Sequence, residues 1–387
     1  MMKGKVPIII SLVVLYLVST GISYAVFRMA GIRSKSIIVS PVDRPGDGTV
    51  AIDPGLPKTE TCPLNAKLYT KPEREAWETR RPLAVMLENS TDARPHSGIS
   101  KADIVYEAVA EGGITRFMGV FYCGIAENTE LAPVRSARTY FLDWVSEYDA
   151  LYNHVGGAGV CSDPTVDTRA KALCQIGTYG IKDMDQFGIS FPTCYRNPDR
   201  LTHPVATEHQ MVCQTEKLYD IAKDRGWTNV DEDGVNWNEN FTNWEFKEEK
   251  SAVDQATAKE ISLYFWRGYD DYDVTWQYDP LANEYKRLTG GQVHKDLETD
   301  KQLTAKNVVV QFSVETGSVD EHKHLLYKTI GTGDALIFQD GNVIEGAWSK
   351  KSRTARTLFF DGKGKQVSFN PGVVWIEVVP DGNTVTY

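Results

Sequence analysis

An uncharged run of 22 residues, from Val6 to Phe27, constrains this chain more than any other feature. Roughly 20 residues in a helix span the hydrocarbon core of a bilayer, and Lys3 and Lys5 precede the run. A cleaved signal peptide is the alternative, although its apolar segment is usually only about 7–15 residues long. The first cysteine is Cys62, so a lipidated cysteine does not explain the run. We predict a single membrane anchor over residues 1–28.

The cysteines bear on the compartment of the remaining chain. There are six of them, at positions Cys62, Cys123, Cys161, Cys174, Cys194 and Cys213. An even number in an exported chain indicates disulfide bonds, with fifteen possible pairings. Buried thiols and a metal site are the alternatives, but no CxxC spacing is present. With the anchor, the cysteines favour a body that lies outside the cytoplasm.

The length of 387 residues suits two domains after the anchor. Frequent proline and glycine predict an extended linker over residues 29–80. The first domain, 81–235, combines predicted strands with predicted helices at 136–148 and 207–225, which indicates an α+β or α/β fold with a mixed sheet. Its strands are predicted at 82–87, 102–110, 114–122 and 150–155.

From residue 236 onward, aromatic residues become dense and turn dipeptides recur. This pattern predicts a mainly antiparallel β domain over 236–387, with one helix near 255–265. Its strands are predicted at 307–315, 335–339, 357–360 and 373–379.

Several motifs resemble the YerB-like family of bacterial envelope lipoproteins. In the first domain these are NSTDARPHSGISKADIVYE (89–107), EGGITR (111–116), PVRSAR (133–138) and YDALYNHVGG (148–157). In the second they are GGQVHKD (290–296), GTGDA (331–335), WSK (348–350) and PGVVWI (371–376). The resemblance implies an exported, membrane-tethered protein with no known activity. A weaker likeness, of topology, links the first domain to the LytR-CpsA-Psr transferases, which bind lipid-linked glycan phosphates with an arginine cluster.

Arginines dominate the candidate ligand site. The set is Arg94, Arg116, Arg135, Arg138, Arg196 and Arg200, with Glu208 and His209 beside them in sequence. The planar guanidinium fork suits carboxylate or phosphate, so these residues predict an anion pocket. In the alternative, the arginines pair with Glu88, Asp103, Glu107 and Glu111 and hold the hairpin to a helix.

Acid–base chemistry has its own candidates. Asp103, Glu107 and Glu111 share one face if the strand is regular, and such a row of carboxylates can transfer protons. His154 stands at a predicted strand end. We name Asp103 and His154 as candidate catalytic residues, with a solvated or arginine-paired face as the alternative. No metal site or cofactor is predicted, apart from Mg²⁺ if the protein is an enzyme.

The net charge of −10 argues against general nucleic-acid binding. Three functions remain. The first is binding of an anionic cell-wall polymer or lipid-linked glycan, the second is a phosphotransferase or hydrolase acting on such material, and the third is a scaffold for an envelope complex. Whether the chain is an enzyme, and its protein partners, stay open at this point.

Overall fold

The computed structural model describes residues 52–53, 55–249 and 256–387. The predicted anchor and the first part of the predicted linker, residues 1–51, lie outside this range. Among the described residues, no helix has both the length and the apolar character needed to cross a membrane.

A mixed sheet of ten strands forms the centre of the fold. In spatial order the strands are β22 (Leu358–Asp361), β21 (Asn342–Lys350), β20 (Gly331–Gln339), β17 (Asn307–Ser313), β24 (Val374–Pro380), β4 (Ile104–Glu111), β5 (Ile114–Phe121), β3 (Leu83–Glu88), β7 (Leu151–His154) and β8 (Lys182–Asp185). The neighbours β17 and β24, β24 and β4, β3 and β7, and β7 and β8 are parallel, and the other pairs are antiparallel. Strands from both predicted domains therefore share one sheet.

The central strands are covered on both faces, which explains why β3 and β4 are nearly continuous apolar runs. Helix α2 (Thr139–Val145) packs on one face, where Trp144 stacks on Tyr106 with ring centroids 5.1 Å apart. The opposite face carries a largely antiparallel sheet, whose Trp276 packs edge-on against Trp375 at 5.3 Å. That second sheet contains β12 (Glu260–Leu263), β13 (Val274–Asp279), β14 (Glu284–Thr289), β15 (Gln292–Val293), β16 (Thr304–Ala305) and β25 (Val385–Thr386).

Smaller elements surround these two sheets. The short strands are β1 (Lys58–Thr61), β2 (Leu68–Thr70), β6 (Glu130–Leu131), β9 (Cys194–Arg196), β10 (Met211–Gln214), β11 (Glu245–Phe246), β18 (Glu315–Thr316), β19 (Leu326–Tyr327) and β23 (Ser368–Phe369). The other helices are α1 (Lys71–Trp77), α3 (Ala172–Tyr179), α4 (Gln186–Ile189) and α5 (Thr215–Asp224).

The predicted fold class is confirmed, with a mixed sheet and helices first and mainly antiparallel strands later. The predicted boundaries after residues 80 and 235 stay predictions. Within the described residues the first strand begins at Lys58, inside the predicted linker, and Ala51–Tyr387 behaves as one compact unit.

Two helix predictions are wrong in part. Residues 207–225 contain a 3₁₀ turn (Thr207–His209) and β10 before α5 begins, because 211–214 pair with β6 and β9. The helix predicted near 255–265 is replaced by strand β12. There Ile261 and Leu263 are buried at alternate positions, a period of two that fits a strand.

The cysteines form three disulfide bonds, which confirms the disulfide prediction. The pairs are Cys62–Cys123, Cys161–Cys174 and Cys194–Cys213. The first ties the β1–β2 region to the end of β5, the second joins the segment after β7 to the helix Ala172–Tyr179, and the third joins β9 to β10.

A buried ionic cluster attaches the segment that follows α2 to the end of β21 and the residues that follow it. The Glu147 carboxylate accepts hydrogen bonds from Lys350 Nζ at 2.9 Å and Arg356 Nη1 at 2.8 Å. The Arg356 guanidinium also lies 3.7 Å from the centre of the Trp244 ring. Lys350 and Arg356 therefore form a buried contact between residues 350–356 and the segment that follows α2.

Candidate functional site

Three strands that run in the same direction, β3, β4 and β7, end at one edge of the central sheet. Strands β3 and β7 pair only over Leu83–Val85, and beyond that the sheet opens. Residues 134–137 fill the opening: Arg135 N donates to Met86 O at 2.9 Å, and Ala137 N donates to Gly156 O at 3.0 Å. In open sheets of this kind, ligands bind outside the carboxyl ends of the strands where neighbouring strands diverge.

The structure brings Arg116, Arg135 and Arg138 to this edge. Arg116, at the start of β5, donates to Ser136 O at 2.6 Å and lies 3.5 Å from Glu111. Arg138 donates to Ala137 O at 2.6 Å and pairs with Glu111. Arg135 Nε lies 3.2 Å from the Glu88 carboxylate. We call Arg116, Arg135 and Arg138 the arginine site.

The arginine site holds more positive charge than its own carboxylates neutralise. Three guanidinium groups face two carboxylates, Glu88 and Glu111. Burial lowers the pKa of Arg116 and of Arg138, because both cations are largely removed from water. An anion from solution would relieve this cost.

Buried hydrogen-bonding atoms in the arginine site also lack partners. The Tyr152 hydroxyl and the Nε atoms of Arg116 and Arg138 make no hydrogen bond to any described residue. Burial raises the pKa of Tyr152, while the charges of Arg116 and Arg138 oppose that rise, which places all three groups together. The Nε atoms of buried arginines elsewhere in the described part of the chain, such as Arg81 and Arg287, lack hydrogen bonds too, so the Tyr152 hydroxyl is the distinctive member of this group. Because most buried polar groups are paired, this hydroxyl beside two guanidinium groups can accept an added partner.

A Glu88–His209 pair borders the arginine site. His209 Nδ1 lies 2.8 Å from Glu88 Oε2, and both side chains are largely buried. Arg196 and Glu208 are close enough to act on the Arg135 guanidinium electrostatically. Both are exposed, and the Arg196 guanidinium donates to Thr207 O. The predicted residues Arg196, Glu208 and His209 therefore form the outer rim.

Arg94 and Arg200 do not join the arginine site. Arg94 donates to Asn89 Oδ1 at 3.0 Å, Asn89 O at 3.1 Å and Asp271 O at 2.9 Å. Arg200 donates to Pro95 O and Ala93 O, each at 2.7 Å. Because backbone carbonyls occupy their guanidinium groups, the structure gives these two arginines a role in holding the 89–95 loop.

Asp103 is buried at the opposite end of β4, next to a disulfide bond. Its carboxylate accepts from Asn65 Nδ2 at 2.9 Å and from the backbone N–H groups of Tyr122 and Cys123 at 2.8 and 2.9 Å. It is 1% exposed. The side chain thus supports the Cys62–Cys123 connection, and its carboxylate is occupied by hydrogen bonds within the protein.

The Asp103 environment leads to a pH prediction. Burial raises the pKa of Asp103 to about 6, and the hydrogen bonds from Cys123 and Tyr122 only partly oppose this. The folded state then binds more protons than the unfolded state between the ordinary pKa of 3.8 and about 6. Asp103 therefore lowers stability as the pH rises through that window.

We expect Asp103→Asn to remove the pH-dependent loss of stability that ionisation of Asp103 causes. The difference in melting temperature between variant and wild type should therefore change between pH 4 and pH 6.5. The variant should also lose about 1–3 kcal/mol at pH 4 through poorer hydrogen bonding. Thermal melts of the oxidised protein across this pH range would measure it, with Asp220→Asn, an exposed carboxylate, as control. Parallel pH profiles for wild type and Asp103→Asn would contradict the assignment.

His154 is not paired with Asp103 as a catalytic dyad. Strands β5 and β3 lie between β4 and β7, and Asp103 and His154 lie at opposite ends of these strands, so the two residues are separated by more than three strand spacings, or more than about 14 Å. His154 is fully buried, with Nδ1 at 2.8 Å from Gly156 O and Nε2 at 3.0 Å from Asp183. Both ring nitrogens are occupied, and His154 braces the turn after β7.

The predicted carboxylate row of Asp103, Glu107 and Glu111 does not form. The β4–β5 register shifts between Val109 and Glu111, and such a bulge sends Glu111 to the face opposite Glu107. Glu111 therefore reaches the arginine site, whereas Glu107 is buried between the two sheets and pairs with Arg287.

A chain of buried side chains links Arg287 to the Glu88 backbone. Arg287 Nη1 lies 2.7 Å from His294 Nδ1, His294 Nε2 lies 3.0 Å from His96 Nδ1, and His96 Nε2 contacts Glu88 O. This order assigns one proton to Nε2 of each histidine. Burial lowers the pKa of His96 to about 3, in accord with a neutral ring. His294 belongs to the GGQVHKD motif, but the sequence shows no sign of its contact with Arg287, because that contact joins separate strands.

One group of side chains in the described ranges brings three residues of metal-binding type together, namely Cys62, Asp103 and Cys123. The two sulfur atoms form a disulfide bond, so they offer no thiolate to a metal. Two cavities on the described surface also lie away from the arginine site. One of about 160 Å³ is lined in part by Lys58 and Lys101, and one of about 430 Å³ in part by Asp334 and Glu345.

The chain was compared with known proteins. Residues 69–228 match the family model described as protein of unknown function (DUF3048) N-terminal domain, and residues 261–376 match its C-terminal domain. The chain is 30% identical over 322 residues to YerB of Bacillus subtilis (strain 168), which is named as a candidate lipoprotein, and the match covers 80% of this chain and 84% of that protein. The crystal structure of Bacillus subtilis YerB superposes with a TM-score of 0.66 at 27% identity, covering 85% of this chain and 100% of that one. These matches confirm the YerB-like resemblance, and the chain belongs to the DUF3048 family.

Proposed function

We propose that this chain is an envelope protein whose body lies outside the cytoplasm and binds an anionic group at the arginine site. The anion would be a phosphate or carboxylate of a cell-wall polymer or of a lipid-linked glycan. The location is supported by the three disulfide bonds, which persist in oxidising compartments, and by the name of the YerB relative.

One observation carries the ligand class. The Tyr152 hydroxyl and two guanidinium Nε atoms are buried together without hydrogen-bond partners in the described structure, and Tyr152 lies one residue before the last paired position of β3 and β7. Donors in this arrangement match an oxyanion with several acceptor oxygens, and guanidinium groups bind such oxygens through paired hydrogen bonds. The exposed part of Arg135 gives access, since its side chain keeps 27% of its surface in solvent.

Arg135→Gln tests the anion site with little risk to the fold, because Arg135 is the most exposed of the three arginines. Losing a charge-assisted hydrogen bond should weaken pyrophosphate binding about 10- to 100-fold. Isothermal titration of the purified chain with pyrophosphate measures this. Arg169→Gln, which breaks a surface ion pair with Asp167, is the matched control and should bind like wild type. Equal affinity for wild type and Arg135→Gln would contradict the proposal.

A second candidate function, phosphoryl transfer or hydrolysis, is favoured by the Glu88–His209 pair. A carboxylate that orients an imidazole beside an anion site is the arrangement of a general base. The base would then be His209, in place of Asp103 and His154. His209→Gln should retain pyrophosphate binding in the same titration and abolish release of phosphate, measured by a colorimetric assay. Phosphate release that persists in His209→Gln would exclude this role.

A further inference from the structure

The loop after β8 presents two phenylalanines to solvent. Residues 186–193 contain no charged side chain, and Phe187 and Phe191 are each 71% exposed. Exposed single hydrophobic residues are common, but two large aromatic side chains on one uncharged loop are a feature that requires a partner. Neither ring takes part in the core, whereas Ile189 between them packs against it.

The loop is held in place by several contacts. Asp185 Oδ1 accepts from Phe187 N at 3.2 Å and from Gly156 N at 2.8 Å. Ser190 O accepts from Thr193 N and Cys194 N at 3.0 and 2.9 Å, and Cys194 is bonded to Cys213. The two rings are therefore displayed by a braced turn. We call residues 186–193 the phenylalanine loop.

The phenylalanine loop lies beside the arginine site. A Cβ atom on Gly156 would meet the Phe187 ring at 3.1 Å, so the ring covers Gly156 closely. Gly156 O accepts from Ala137 N, and Ala137 precedes Arg138. The exposed cation Arg196 follows the loop in β9. Apolar rings next to cations match the boundary between acyl chains and anionic headgroups.

The small contact area of the two phenylalanine side chains favours a lipid bilayer over a protein as the partner of the loop. Two aromatic side chains supply about 300–500 Å² of contact, which is less than the roughly 800 Å² per partner of a stable protein interface. A bilayer requires only a few inserted side chains when a second attachment is present. The 24 residues from 28 to 51 lie between the predicted anchor run and the described body, and extended they reach about 80 Å.

We propose that the phenylalanine loop inserts into the surface of an anionic lipid bilayer and presents the arginine site to the headgroup layer. The inference is independent of which anion the arginines bind. If pyrophosphate does not bind, membrane insertion of the phenylalanine loop can still be correct. If the loop does not insert, anion binding at the arginine site can still be correct.

Photocrosslinking of the full chain, reconstituted in phosphatidylglycerol vesicles, tests the inference. Phe187 or Phe191 is replaced singly by the photoreactive analogue p-benzoylphenylalanine, which keeps the aromatic ring. Leu281, which is 95% exposed in the β13–β14 turn, is replaced in the control. After irradiation, mass spectrometry measures lipid attached at each position. Because burying one phenylalanine favours the apolar phase by a factor of about ten or more, we expect about tenfold more lipid adduct at 187 and 191 than at 281.

Three results would overturn the inference. These are crosslinks from 187 and 191 to a second copy of the chain instead of lipid, an absence of lipid adduct at both positions, and equal lipid adduct at 281. A Phe187→Ser/Phe191→Ser double variant checks the same point without a probe. Amide hydrogens near Arg196 in this variant should exchange at least about tenfold faster than in wild type when the full chain is in vesicles, and at the wild-type rate when both full chains are in detergent without lipid.

Discussion

Glu147→Gln is expected to destabilise the protein by about 3–5 kcal/mol, because the substitution leaves Lys350 and Arg356 buried without a counter-charge. The side chains of Glu147 and Lys350 are fully buried and that of Arg356 nearly so, which makes solvent screening small. Chemical denaturation at pH 7 measures the loss. Glu216→Gln breaks the partly exposed pair with Arg80 and should cost less than about 1 kcal/mol.

The cluster of Glu147, Lys350 and Arg356 also predicts how folding stability depends on pH. Burial alone would raise the pKa of Glu147, but Lys350 and Arg356 outweigh burial and hold the pKa below its ordinary value of 4.5. The stabilisation is therefore complete above pH 4.5 and is lost as the pH falls through the lower folded-state pKa. Wild type and Glu147→Gln should converge in stability in acid. A constant difference between them down to pH 2, or a small loss at pH 7, would contradict this account of the cluster.

The second large effect concerns the two carboxylates that share Arg287. Arg287 pairs with Glu107 and lies 3.8 Å from Glu377, and all three side chains are fully buried. Burial raises the pKa of Glu377 well above its ordinary value, and the nearby Glu107 raises it further. One guanidinium cannot neutralise two carboxylates, and the raised pKa marks Glu377 as the carboxyl of this group whose ionisation burial opposes. Glu377 also accepts a hydrogen bond from Trp276 at 2.9 Å.

We therefore expect substitutions of Glu107 and Glu377 to change the free energy of unfolding in a strongly non-additive way. Glu377→Gln replaces the carboxyl whose ionisation is opposed by burial with a neutral amide of the same shape, and should cost less than about 1 kcal/mol. Glu107→Gln should cost about 1–3 kcal/mol, because Glu377 can then ionise and pair with Arg287. The double variant leaves Arg287 without a counter-charge and should lose about 3–5 kcal/mol beyond the sum of the two single losses. Denaturation of the four proteins gives the coupling, and additive losses would contradict it.

Much of the central sheet was predictable from local pattern. The predicted strands near 82–87, 102–110, 114–122 and 150–155 correspond to β3, β4, β5 and β7. These strands are apolar runs bounded by turn residues, which is a strong local signal. The helix predicted at 136–148 is present as Thr139–Val145. What local pattern did not contain was the pairing of β4 with β24, which are about 270 residues apart in sequence.

The candidate site was predicted in part. Arg116, Arg135 and Arg138 come together as expected, and the alternative of pairing with Glu88 and Glu111 is also realised. The bulge in β4 separates Glu111 from Glu107, and a regular alternation could not reveal it. Tyr152 was missed because its importance depends on contacts across strands. Its position two residues before His154, on the same face of β7, was the available signal.

Native mass spectrometry of the full chain, purified from the membranes of producing cells in mild detergent, tests the arginine site most directly. The account predicts a bound species that contains phosphate or carboxylate, present on wild type and on Arg169→Gln, and lost from an Arg116→Lys/Arg135→Gln variant that melts like wild type. A wild-type protein that carries no such species, and that acquires none from added pyrophosphate, would contradict the account. The three arginines would then serve only to join β5 to the segment before α2.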